Sequence, residues 1–349
     1  MYFFITELFK RFFLLSMCTV ILCLSTTNIS EARMYIFTSP QQEKQAGDSA
    51  AAEIEAGGVI TGSQANQIVD KISNNLKMTI NPRYDYQVKI LNTNVINAYS
   101  VPGGHIYVTK GIVEKATFVD ELAFVIGHEF GHDMNEHYMK TIDDIGKAEV
   151  GVAILGSIFK VKQSTMNWTY TFTYIAMRRG YGFAKEHEAD KYGFQLLADS
   201  GYNIGGGAVF FHKLLLLEQK NQNRSTTLSN EVGNYLSPHP KSDTRLNEQL
   251  NFMKDFSKGH VTVSDSKIYI DGKFAFAPIG TQKCDRYERT YLIAGNIARI
   301  YHNNPVAFWS VNDSGELSLN GKDVYTPQPG DESAETVLAR ISSPSFSKK

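Results

Sequence analysis

The stretch "VIGHEFGHDMNEH", residues 125–137, holds three histidines and three acids. An α-helix turns about 100° per residue, so positions four apart stack on one face. His128 and His132 are so spaced, and their imidazoles can close on one cation. Glu129 points to the flank of that face. Two ring nitrogens beside a carboxylate form the H-E-x-x-H set of zinc hydrolysis. The nitrogens hold the metal, and the carboxylate handles the proton of the activated water. His137 lies nine residues past His128, about half a turn out of phase. On a continuous helix it faces away, so it is left out of the site.

Two histidines hold zinc weakly, and catalytic sites use three protein ligands with one position open. A histidine six residues beyond His132, with glycine at the third, would complete the metzincin pattern. Tyr138 and Asn135 stand there instead. The remaining candidates are the other histidines and the acids. Glu186, on the helical stretch "YGFAKEHEADKYGFQLLADSGY", fits as a glutamate supplied by a separate helix. Asp190 lies four residues on, shares its face, and is placed to accept a hydrogen bond from the far nitrogen of a ligating histidine. Glu188, about 200° around the helix from Glu186, belongs outside. The expected cofactor is one Zn²⁺ per chain.

These residues need elements to carry them. "SQANQIVDKISNNLKMTI" spaces Ile68, Ile72, Leu76 and Ile80 by four, an amphipathic helix. "YDYQVKILNT" alternates Tyr86, Val88 and Ile90 against polar neighbours, and "HIYVTKG" alternates as well, so both read as strands. "VPGG" supplies the turn before the second. Thr117 with Asp120 resembles a capping box for the helix carrying the histidine pair. Residues 34–56 are polar with a helical middle. The apolar patch 150–159 and the aromatic run 168–174 read as core packing. Ten apolar residues do not span a bilayer. His105, His187 and His212 read as surface or structural histidines.

The chain has 349 residues, 42% hydrophobic and 20% charged, with a formal net charge of −1, which is globular and leaves no electrostatic footprint for nucleic acid. Lys10 and Arg11, the apolar run 12–24 and Ser30-Glu31-Ala32 follow the order of a signal peptide cut after Ala32. Cys18 and Cys23 fall inside it, so Cys284 remains alone and staples nothing. The expected organisation is a signal peptide over 1–32, a peptidase domain over 33–258, a small α+β C-terminal domain over 259–341 and a disordered tail over 342–349. "SDSKIYIDGKFAFAP" and "SGELSLNGKDVYTP" each read as strand, turn, strand. With "YERTYLIAGNIARIYH" helical between them, they suggest an imperfect duplication.

Taken together, "NAYSVPGGHIYVTKGIVEKATFVDELAFVIGHEFGHDMNEH", "KEHEADKYG" and "HPKSDTRL" resemble the HtpX and CAAX prenyl protease family of zinc gluzincins over roughly residues 68–256. The soluble periplasmic branch, which includes the beta-barrel assembly-enhancing proteases, is the nearest in pattern. The resemblance implies an α+β fold with a mainly helical zincin-type domain and a small β-sheet. It implies His128, His132 and Glu186 as metal ligands, Glu129 as catalytic carboxylate and Asp190 behind the ligands. His239 would lie near the cleft. His239 and Arg245 are the candidates to meet a developing oxyanion, and His239 could instead latch the open metal position.

The strand at 105–108 could pair with an extended substrate. The implied activity is a zinc endopeptidase of the periplasm or cell envelope. It would act on unfolded or misassembled polypeptides, and an envelope partner could dock on the C-terminal domain. The competing reading is a chaperone-like binding module that keeps a peptidase shell. Two features depart from the family pattern. The last 90 or so residues carry no tetratricopeptide repeat, and the mature chain shows no spanning helix.

Overall fold

The computed structural model describes residues 40–141, 144, 181–222 and 241–343. The expected signal segment, the patch 150–159, the aromatic run 168–174, His239 and residues 344–349 lie outside them. The architecture is α+β with a mainly helical core, as the sequence predicts. Among the described residues no helix is long and apolar enough to cross a membrane.

Helix α1 (Pro40–Glu55) leads into strand β1 (Val59–Ile60) and helix α2 (Gln64–Lys77). Ser63 caps α2, its side chain accepting from the Asn66 N–H. The buried face of α2 is Val69, Ile72, Ser73 and Leu76, while Ile68 is among the exposed hydrophobics. A strict spacing of four drifts against 3.6 residues per turn, so Ile68 rotates off the face that Val69 occupies.

Strands β2 (Gln87–Leu91), β3 (Ala98–Val101) and β4 (His105–Thr109) join β1 in a sheet ordered β1-β2-β4-β3. β4 runs parallel to β2 and antiparallel to β3. It is therefore interior, with ladder partners on both sides, and cannot take an extended substrate as its neighbour. Alternation had identified a strand correctly without revealing its place in the sheet. β3 is the edge strand beside the histidine helix. The three-residue link from β3 to β4 needs Gly103 and Gly104, whose φ angles are 94° and 89°.

After a short helix α3 (Lys110–Lys115), helix α4 (Val119–Met134) runs through the core, with every residue from 121 to 133 buried. The capping box falls one residue later than Thr117 and Asp120 suggest. Glu121 Oε1 accepts from the N–H groups of Thr117 and Phe118, each at 2.9 Å. Asp120 instead accepts from the Asn203 N–H at 2.7 Å.

Helix α5 (Phe183–Asp199) packs along α4 through glycine. A Cβ at Gly131 would fall 2.9 Å from the Tyr192 Cβ, and one at Gly193 would fall 3.0 Å from the His128 nitrogen. Gly127 is nearly as tight, 3.3 Å from the Gly193 Cα. No side chain separates the two backbones along this seam, so groups one step around each helix can meet.

Helix α6 (Gly206–Gln222) and helix α7 (Ser242–Phe256) complete the bundle. Beyond them, β5 (Val261–Ser264), β6 (Lys267–Ile270) and β7 (Lys273–Phe276) form one antiparallel sheet. β8 (Trp309–Val311), β9 (Leu317–Leu319) and β10 (Lys322–Tyr325) form another. Helix α8 (Arg286–Asn303) lies between them in sequence. The turns Asp271-Gly272 (φ 50° and 75°) and Asn320-Gly321 (φ 51° and 74°) are the two-residue, positive-φ kind. Helix α9 (Ala334–Ile341) is capped by Ser342, whose N–H bonds the Leu338 carbonyl.

The C-terminal elements share core with the bundle. Ile293, Ile297 and Tyr301 join the same buried cluster as Leu197 and Ile204. Arg299 donates to the Ala198 and Leu197 carbonyls at 2.6 and 3.1 Å, and to the Tyr202 carbonyl. Arg299 thus closes the end of α5, whose last carbonyls have no partners within the helix.

Candidate metal centre

Packing along the glycine seam brings three ligand groups together. His128 Nε2 and His132 Nε2 are 3.0 Å apart. Glu186 Oε2 lies 3.6 Å from His128 Nε2, and its Oε1 lies 3.6 Å from His132 Nε2. Ligands held tetrahedrally at the zinc bond length of about 2.0–2.1 Å stand about 3.3 Å from one another. The observed separations lie on either side of that value, with one Glu186 oxygen toward each imidazole. Among the described residues this is the one group of three or more such side chains within metal-binding reach. All three candidate ligands are almost wholly buried, at 2%, 1% and 1% exposure for His128, His132 and Glu186.

The charge count also fits. Glu129, Glu186 and Asp190 are buried acids, and Arg245 is the buried guanidinium set among them. Three carboxylates against one cation leave two negative charges in a dry site, which a divalent ion would balance. Without such an ion, burial and the neighbouring Glu186 push Glu129 up to about 8. Glu129 is also hydrogen-bonded by Ser100 of edge strand β3.

Asp190 Oδ1 lies 2.9 Å from His128 Nδ1, so that histidine presents Nε2 to the centre. Burial is the largest influence on Asp190 and pushes it up. The Arg245 charge, its hydrogen bonds and His128 outweigh this and hold Asp190 at about 2. Arg245 comes from α7 and also lies over the Phe211 ring at 4.3 Å. Nε and Nη2 of its guanidinium are engaged with Asp190, while Nη1 lies 3.6 Å from Glu186 Oε2.

His137 does not face away. Helix α4 stops at Met134, and Glu136 takes a left-handed φ of 52°. The chain turns there, and fully buried His137 places Nδ1 3.0 Å from His132 Nδ1. A half-turn offset between His128 and His137 holds only on a continuous helix, which the backbone does not provide. Glu188 lies outside the ligand group, yet its Oε2 is 2.9 Å from His137 Nε2. Burial lowers His137 to about 4 despite that carboxylate. Tyr181 stacks on the His132 ring at 4.1 Å. Asp133, next to His132, accepts from the Tyr86 hydroxyl at 2.5 Å.

Residues 61–251 match the family model described as "Peptidase family M48". The chain belongs to peptidase family M48. All the described residues of the centre fall within the M48 match. The M48 chain is 29% identical over 174 residues to the mitochondrial metalloendopeptidase OMA1 of Arabidopsis thaliana, covering 49% of this chain and 32% of that protein. It is 26% identical over 244 residues to the beta-barrel assembly-enhancing protease of Yersinia pestis, covering 67% and 48%. It is 28% identical over 202 residues to the metalloprotease LoiP of Escherichia coli, covering 55% and 77%. This M48 chain thus matches about a third to a half of the length of the first two relatives.

The remaining residues of interest take varied places in the M48 chain. His105 pairs with Asp48, His187 with Glu248 and His212 with Asp285. Cys284 is a free thiol. Sequence reading missed Ser100, Tyr181 and His137 as neighbours of the centre. Only His137 carried a signal, as a third histidine close to the pair.

Proposed function

We propose that the protein is a zinc endopeptidase with His128, His132 and Glu186 as its metal ligands and Glu129 as its catalytic base. The observation that carries this is the convergence of two imidazole nitrogens and one carboxylate, with Glu129 adjacent, in a chain of the M48 family. When bound, zinc supplies the Lewis acidity that makes water a competent nucleophile near neutral pH. Glu129 accepts the proton of the attacking water and returns it to the leaving amine. Ser100 holds the Glu129 carboxyl at the edge of the sheet. Asp190 and Arg245 fix His128 from behind. Backbone pairing along β3 offers an extended substrate a route that interior β4 does not.

The proposed substrates are unfolded or misassembled envelope polypeptides, and the proposed compartment is the periplasm or cell envelope. The relative named a beta-barrel assembly-enhancing protease supports this, as does the basic, apolar, small-residue order of 1–32. We assign His239 to the cleft on its family motif, either as an oxyanion donor or as a latch. We also assign an envelope-partner contact to the domain at 259–341, where Val306 and Phe308 are exposed.

The test is metal analysis of protein purified without added metal, with cleavage of unfolded casein before and after a chelator. Near-equimolar zinc and chelator-sensitive cleavage are expected. Full zinc retention by both His132→Ala and Glu186→Ala would overturn the ligand set. Chelator-resistant cleavage by pure protein would overturn the mechanism.

A further inference from the structure

His128 and His132 are held by different devices. Behind His128 stands a buried carboxylate, Asp190. Behind His132 stands another imidazole, His137, and only behind that a carboxylate, Glu188. We infer that His137 and Glu188 form an outer relay that keeps the proton of His132 on Nδ1, so that Nε2 is the nitrogen offered to the metal. The inference rests on reading the centre as a metal site.

With His132 as a metal ligand, the contacts allow one consistent assignment. His132 Nε2 faces His128 and Glu186, so as a ligand it carries no proton there. A neutral imidazole must then carry its proton on Nδ1. That N–H donates to His137 Nδ1, 3.0 Å away. His137 accepts only if Nδ1 is bare, which puts its own proton on Nε2. Nε2–H donates to Glu188 Oε2 at 2.9 Å. Every nitrogen in the relay then has one role, and the acceptor at its end is an anion. Glu188 is half exposed, at 54%, whereas His137 is fully buried. The relay thus runs from the centre to the surface.

The turn at Glu136 is what makes this possible, since it folds His137 back beneath the ring of His132. Thr141 Oγ1 donates to the His137 carbonyl at 2.7 Å and anchors the new turn. His137 is a positioning residue, because it touches His132 and not the reacting atoms. Partners of this kind contribute about 10–100-fold to metal affinity.

Two measurements on the full chain test it. Nitrogen-15 NMR of the zinc-loaded wild type should find His137 protonated on Nε2 and bare on Nδ1. A His137 protonated on Nδ1, or on both nitrogens, would overturn the relay. Chelator competition should then compare His137→Phe, His137→Asn and Glu188→Ala. The asparagine oxygen sits near the place of Nδ1 and can accept from His132. His137→Asn should therefore hold zinc within about threefold of wild type, while His137→Phe weakens it about 10–100-fold. A packing role predicts the reverse order, because phenylalanine fills the buried space better than asparagine. Equal zinc affinity in His137→Phe and wild type would also defeat the relay. If His137→Phe does not fold, the wild-type tautomer and exposed Glu188→Ala still decide, and the latter should lose affinity severalfold. Failure of the wild type itself to hold zinc would instead defeat the metal reading beneath the relay.

Discussion

Arg245 grips Asp190 with both ends of its guanidinium fork, Nη2 at 2.6 Å from Oδ1 and Nε at 2.7 Å from Oδ2. The two residues are 55 positions apart and essentially without solvent access. The same Asp190 oxygen that meets Nη2 also takes His128. Helix α7 thus reaches His128 through Asp190 and also sets Arg245 Nη1 3.6 Å from Glu186 Oε2.

Removing one partner of such a buried pair strands the other. Arg245→Met should lower the unfolding free energy by about 3–5 kcal/mol, read from urea titration. Arg245→Lys should recover only part of this, because an ammonium cannot make the two-point contact. An unchanged urea midpoint in Arg245→Met would show that the pair does not matter to stability.

Glu129→Gln preserves shape and the contact to Ser100, but the amide cannot accept the proton of water. Zinc content should match wild type, while casein cleavage falls by about 10²–10⁴-fold. Wild-type cleavage by this variant would remove Glu129 from the chemistry.

The α4–α5 seam has no room for side chains. Gly131→Ala and Gly193→Ala should each cost about 1–3 kcal/mol, the range for overpacking, and should weaken zinc binding by moving Glu186 away from the histidine pair. Gly127→Ala, with slightly more space, should cost less. Thermal unfolding and zinc titration would check the order. Alanine tolerated equally at all three positions would contradict the tight seam.

Asp285 ties α8 to α6. It caps α8 through the N–H groups of Tyr287 and Glu288 and meets His212 Nε2 at 2.8 Å. Burial raises its pKa, but the cap bonds and His212 outweigh this, and the net shift is downward from 3.8. A depressed carboxyl contributes stability above its unfolded pKa and loses it as pH falls through the folded one. Asp285→Ala should therefore cost about 1 kcal/mol at pH 7. The gap from wild type should shrink as pH drops below 3.8. A gap independent of pH would mean that the charge contributes nothing.

The candidate site was legible wherever local periodicity sufficed. The four-residue step placed His128 with His132 and Glu186 with Asp190, because both pairs lie on unbroken helices. Asp271-Gly272 and Asn320-Gly321 announced their hairpins because those turns need positive φ. His137 was misplaced because helix α4 ends through a left-handed Glu136, a conformation that its residue type does not announce. Alternation identified β4 as a strand, but sheet order depends on partners far along the chain. The Arg245–Asp190 contact and the closure of α5 by Arg299 are likewise long-range, and spacing within one helix does not encode them.

The burial of the three candidate ligands also constrains the kinetics of exchange. With His128, His132 and Glu186 at 2% exposure or less, an incoming ion or a chelator reaches them only when the protein around them opens, as it must also do for a peptide substrate. Metal must then leave through opening events, whose frequency belongs to the fold and not to the reagent. The rate of zinc loss should rise with chelator at first and then level off at the opening rate. Agents that loosen the structure, such as sub-denaturing urea, should raise that plateau, whereas a tighter-binding chelator should not.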